Sequence, residues 1–249
     1  MSALDWASLG ILFFSAILGG LVRRLSGFGG ALIMSPLLMW VFPIPFFIPI
    51  VVSAELLGGV WLSKQWKVHR EDRPRRYRMW VLAALLLPIG IVLGELISID
   101  VLKIVTSLIV IIFSAYLLAR PHFVLSLTST RDALSGALSG LLLGSCGIGG
   151  PPVALYLNSS ALKFERSRAL LSQFVSGVCF MAIVAASFLG GGIAWLPWLL
   201  LALPAYIVGM VLAWRLLQWR DLSAEVIKKL CLFLLIGNAI FNLAIMMFI

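Results

Sequence analysis

The residues of this chain that could do chemistry sit at two short glycine clusters. Ser26-Gly27-Phe28-Gly29-Gly30 follows directly on Arg23 and Arg24, and Cys146-Gly147-Ile148-Gly149-Gly150 leads into Pro151 and Pro152. Both interrupt long apolar runs. Glycine lets a ligand approach the backbone closely and admits positive φ. A helix starting just after such a break, at about Gly30 in one case and Pro151 in the other, presents free N–H groups and a partial positive charge. That arrangement holds small oxyanions. Pro151 suits a first helical turn, where its missing N–H is no loss, and an arginine at the other break supplies a planar fork for bidentate contact with an oxyanion.

Other polar side chains in apolar surroundings are fewer. Glu55 stands mid-span beside Ser53, where a carboxylate either marks an ion path or pairs with a buried cation such as Arg23 or Arg24. Burial raises the pKa of such a group and a neighbouring arginine lowers it, so its protonation stays open. Gln173, with Ser172 and Ser176, lies on a later span and can bond either substrate or a neighbouring helix, as can Asn238 and Asn242. Asn158 and Tyr156 read as interfacial. Cys146 precedes Gly147 beside a positive helix end, which favours a thiolate, but His69 and His122 fall in distant loops and offer no base. No metal-ligand spacing is visible and no cofactor is implied.

These residues must be positioned by membrane helices. Of 249 residues 62% are hydrophobic and 12% charged, and the mean hydropathy is +1.10, far from soluble composition. Runs long enough to cross about 30 Å of hydrocarbon occur at 45–63, 79–98, 101–119, 169–189, 197–214 and 230–248. The stretch 6–22 has no basic lead and no small-residue cleavage pattern, so it belongs to the fold rather than to a leader. The net charge of +9 sits in short loops, as orientation by positive charge requires, and not in a nucleic-acid patch. Cys146, Cys179 and Cys231 lie in apolar segments and are odd in number, which argues against a disulfide framework.

The chain matches itself at an offset of 120. Seven of 22 positions agree between 16–37 and 136–157, against about two or three from composition. A proline followed by a glycine recurs in the corresponding later spans, Pro88 with Gly94 and Pro204 with Gly209. The expected organisation is a first membrane repeat at 1–119, a cytoplasmic linker at 120–132 and a second repeat at 133–249. If 6–22 with 31–43, and 133–145 with 151–158, form hairpins that enter and return to one side, each repeat adds three full spans and the repeats are inverted. Charge favours this. With 64–78 in the cytoplasm, 16 of the 19 Lys and Arg fall on that side and only Lys103 opposite.

The pattern Ser26-Gly27-Phe28-Gly29-Gly30-Ala31-Leu32-Ile33-Met34-Ser35-Pro36-Leu37, repeated as Cys146-Gly147-Ile148-Gly149-Gly150-Pro151-Pro152, resembles the TauE/SafE family of membrane permeases. Ala31 and Pro151 stand where members usually have a third glycine, and Glu55 lies where they often have small hydroxyl residues. The resemblance implies secondary transport of sulfite, sulfoacetate or other organosulfonates across the inner membrane, by export. The expected fold is an all-α polytopic protein of two inverted repeats, each a broken hairpin plus three spans. The expected substrate site is Arg23, Arg24, Ser26, Gly27, Phe28, Gly29, Gly30, Cys146, Gly147, Ile148, Gly149, Gly150 and Gln173, with Glu55 as charge or coupling partner. Either a proton or a sodium ion serves as coupling ion, and a homodimer is open as the assembly. The rival from another class is a non-transporting membrane protein, a thiol enzyme centred on Cys146 or an assembly scaffold. A channel is disfavoured, because nothing resembles a continuous polar pore lining.

Overall fold

The structure is a computed structural model that describes residues 6–63, 68–119, 125–189, 192–219 and 224–248. Lys64, Lys67, Arg120, Arg220 and the first part of the expected linker lie outside these residues. Ten helices account for almost all of it: α1 (Trp6–Ser26), α2 (Gly30–Leu38), α3 (Ile44–Ser63), α4 (Arg73–Leu96), α5 (Ile99–Ala119), α6 (Ser129–Cys146), α7 (Gly150–Asn158), α8 (Phe164–Leu189), α9 (Leu196–Trp219) and α10 (Ala224–Phe248). Among the described residues there is no β-strand, only an isolated bridge between Leu125 and Ser160.

Among the described residues, seven helices are long and apolar enough to cross a membrane: the six expected spans and α1 itself. The protein is a multi-pass, all-α membrane protein. Several helices outrun their apolar cores. α4 begins at Arg73 and α8 at Phe164, so the basic residues expected in loops occupy first turns instead. Long Arg side chains allow this, because their stems cover apolar surface while the charge reaches the boundary. α1 likewise continues through Arg23 and Arg24 to Ser26 instead of ending at 22.

Both glycine clusters break helices. Gly27 and Gly29 (φ 84° and 98°) and Gly147 (φ 71°) are left-handed, which ends α1 and α6 and turns the chain back. α2 then doubles back along α1, with Gly30 and Met34 against Gly19. α7 does the same on α6, where the Ser139 hydroxyl donates to the Gly149 carbonyl. The two hairpins are therefore real elements of the fold.

Each hairpin is held by the other half. α6 lies on α4, and α1 on α9. Gly136, Gly140 and Gly144, one turn apart, sit directly on the backbone of Met79, Ala83 and Leu87, while Gly90 and Gly94 meet Leu141 and Ser145 in return. In a membrane, where apolar burial gives helices no reason to associate, such close backbone approach supplies the packing. Gly20 and Gly209 make the matching contact between α1 and α9. α3 packs on α8 and α5 on α10. Exchanging α1–α5 with α6–α10 maps these main pairings onto themselves, as a duplicated chain would.

Candidate functional site

The tips of the hairpins meet. Phe28 of the first packs edge-on against Phe113 of α5, with ring centroids 5.7 Å apart, and lies beside Gly150, the first residue of α7. From the other side, the Ser35 hydroxyl on α2 donates to the Gly147 carbonyl at 3.3 Å. Between the tips lies a cleft of about 390 Å³ of space between atoms, its open mouth included. Gly29 and Ala31 line it from one break, and Gly147, Ile148, Gly149 and Gly150 from the other. Apolar side chains of α3, α6 and α8 complete the walls, with the carboxylate of Glu55 the charged group among them.

At the first break the helix end is already capped. Glu55, on α3, accepts a hydrogen bond from the Ala31 N–H at 3.0 Å through Oε1, and its Oε2 lies 2.9 Å from Nη1 of Arg23. Both side chains are almost fully buried, at 2% and 0% exposure, which is how α1 can carry a cation this deep. Tyr206 on α9 adds a long hydroxyl contact, 3.5 Å from Oε1. Gly30 is required by this cap: a Cβ there would stand 2.2 Å from Glu55 Oε1 and 2.7 Å from the Gly19 carbonyl. Among the described residues, no group accepts a hydrogen bond from Nε or Nη2 of Arg23.

At the second break no side chain fills that role. Under the offset of 120, Leu143 stands for Arg23 and Val175 for Glu55, and both line the cleft. Pro151 and Pro152 follow Gly150, so two of the four N–H groups that a helix start leaves over are absent. Those of Gly149 and Gly150 remain, and among the described residues neither donates outside its helix. A Cβ on Gly150 would meet only Phe28, at 3.9 Å. The α7 end is open to the cleft.

The remaining expected site residues fall elsewhere. Arg24 closes the last turn of α1, where its carbonyl and that of Leu25 face the guanidinium of Arg168, the latter at 3.1 Å. A cation on the last carbonyls of a helix is favourable. Ser26 folds onto its own turn, donating to Val22 and Phe28 carbonyls, and Gly27 packs on Arg168. Cys146 is wholly buried behind the tip, its thiol 3.5 Å from the Ser145 hydroxyl. Gln173 turns from the cleft toward α4, where its amide oxygen accepts from Arg76. Asn238 bonds a neighbouring helix, donating to the Ile33 carbonyl of α2 at 3.3 Å. Among the described residues, no three His, Cys, Asp or Glu side chains gather as a metal site.

Two features have no counterpart in the sequence reading. A second crevice between α3, α4 and α8 shares Leu143 with the cleft and has Glu95 in its wall. At the end where α4, α6 and α8 start, the buried Asp132 is gripped by Arg75 at 2.9 Å and Arg78 at 2.6 Å, and accepts from Tyr156 at 2.7 Å. Tyr156 is thus buried rather than interfacial. Asp72, also buried, joins Arg75 to Arg166, which pairs with Glu71 as well. This ionic cluster binds the first half to the second.

A family model described as sulfite exporter TauE/SafE matches residues 12–241, nearly the whole chain. No curated protein matches the chain, and no solved structure does.

Proposed function

The chain belongs to the sulfite exporter TauE/SafE family, membrane transporters of sulfite and organosulfonates, and from that premise we propose that it carries such anions through the cleft between its glycine breaks. The observation that carries this reading is the convergence of two helix starts on one cleft, one capped by the protein's own carboxylate and one open. A carboxylate seated on the Ala31 N–H beside an arginine supports oxyanion binding at such ends. The anion's place is the open end, at Gly149 and Gly150, with Arg23 acting through Glu55.

The hairpins enter from opposite faces as inverted repeats, and transport rocks one half against the other around the cleft. The end bearing Arg75, Arg78, Arg131 and Arg166 faces the cytoplasm of a cell whose inner membrane holds the protein. On that side Arg23, Arg24 and Arg168 lie around the first tip, whereas the crevice that shares Leu143 has Glu95, in the last turn of α4, in its wall. Cations before the cleft and a carboxylate after it suit outward passage of an anion. Proteoliposomes loaded with sulfite or methanesulfonate test the reading: flux above empty vesicles is expected, with a pH gradient and then a sodium gradient identifying the coupling ion. No flux of either anion under any gradient would refute it.

A further inference from the structure

The difference between the two breaks bears on the charge of the anion. Glu55, the one charged residue lining the cleft among the described residues, is matched at the first break: it faces Arg23 from α1, the Ala31 N–H from α2 and the Tyr206 hydroxyl from α9, with Cys179 of α8 the remaining titratable group in the lining. At the second break Leu143 and Val175 replace the charged pair. What faces a ligand there is two backbone N–H groups and a helix end, equivalent to roughly half a charge, within walls such as Val52, Phe174 and Val178. We propose that Glu55 is a tethered anion occupying the first of two oxyanion positions, so that the cleft takes one monovalent anion, with or without an apolar body. Alkanesulfonates and hydrogen sulfite fit, and sulfate and the sulfite dianion do not.

The inference rests on the cleft being the anion site. A second negative charge on the ligand would meet no free cation in the lining and would face Glu55 itself, at a dielectric where like charges repel strongly. Removing the Glu55 charge while keeping its shape releases Arg23, whose Nε and Nη2 have no acceptor among the described residues.

The test uses the intact chain in lipid nanodiscs with two probes of fixed charge, methanesulfonate and sulfate, titrated by intrinsic tryptophan fluorescence. The unaltered protein binds methanesulfonate at least tenfold more tightly than sulfate. Glu55→Gln retains an acceptor for the Ala31 N–H and collapses that ratio by tenfold or more, through a gain in sulfate affinity. Arg23→Leu with Glu55→Val removes both charges, copying the second break, and keeps the ratio within about threefold. Should Glu55→Gln not fold, this pair decides: retention of the preference supports the proposal and its loss overturns it. An unchanged ratio in folded Glu55→Gln overturns the role of Glu55 and leaves the site standing. If neither probe binds the unaltered protein, the site reading fails and the inference with it.

Discussion

Breaking the buried pair of Arg23 and Glu55 from one side leaves an uncompensated charge among α1, α3, α8 and α9. With both side chains at 2% exposure or less, single replacements Arg23→Leu or Glu55→Val each cost about 3–5 kcal/mol, the range for a buried pair stripped of one partner. For a chain of this size each kcal/mol lowers the melting temperature by about 2–4 °C, so each variant loses roughly 6–20 °C. The double replacement removes both charges and installs the residues of the second break, leaving mainly the Ala31 N–H without its acceptor, at about 1–3 kcal/mol. It is therefore more stable than either single variant. Tryptophan fluorescence during thermal unfolding in detergent measures all four proteins. Single variants that melt within a degree or two of the parent, or a double variant whose loss is the sum of the singles, would refute the pairing as the reason Arg23 is tolerated in α1.

Further outcomes follow from other contacts. Gly140→Leu places a Cβ 2.3 Å from the Ala83 carbonyl and separates α6 from α4, costing more than about 3 kcal/mol by overpacking, whereas Gly237→Ala meets nothing within 4 Å and gains up to about 1 kcal/mol of helix propensity; thermal unfolding distinguishes them. Asp132→Asn loosens the grip of Arg75, Arg78 and Tyr156 on a wholly buried carboxylate and lowers the melting temperature by about 6 °C or more. Cysteines introduced at Asp100 and at Lys163 react with impermeant reagents from opposite faces, Asp100 from outside; reaction of both from one face would refute the inverted arrangement.

The hairpins were legible because glycine is nearly the only residue that turns a membrane helix back at once, and the repeat of the cluster made one break interpret the other. A pair between Glu55 and one of the arginines was legible as an alternative, since deep charges require partners, but its choice of Arg23 was not. Rotation of each helix about its axis is hard to read in this chain: α3 and α9 are apolar on every side, so periodicity names no inward face. Gln173 shows the consequence, lying next to the lining position Phe174 yet directed at Arg76 on α4. Inward faces are marked instead by small residues, and the spacing Gly136, Gly140, Gly144 carried that signal. The Asp132 cluster joins residues 57 and 24 positions apart, a coincidence that only the docking of α6 on α4 creates.

The central claim is that the anion passes between the two breaks, and Gly150→Leu addresses it most directly. The new Cβ meets only Phe28, at 3.9 Å, and Gly150 lines the cleft, so the larger side chain is expected to leave the fold intact, fill the cleft and cover the open end of α7. Sulfite and methanesulfonate flux into proteoliposomes is expected to fall at least tenfold in Gly150→Leu and to stay near the parent rate in Gly237→Leu, whose position on α10 is equally uncrowded. Parental flux in a folded Gly150→Leu protein would contradict the account.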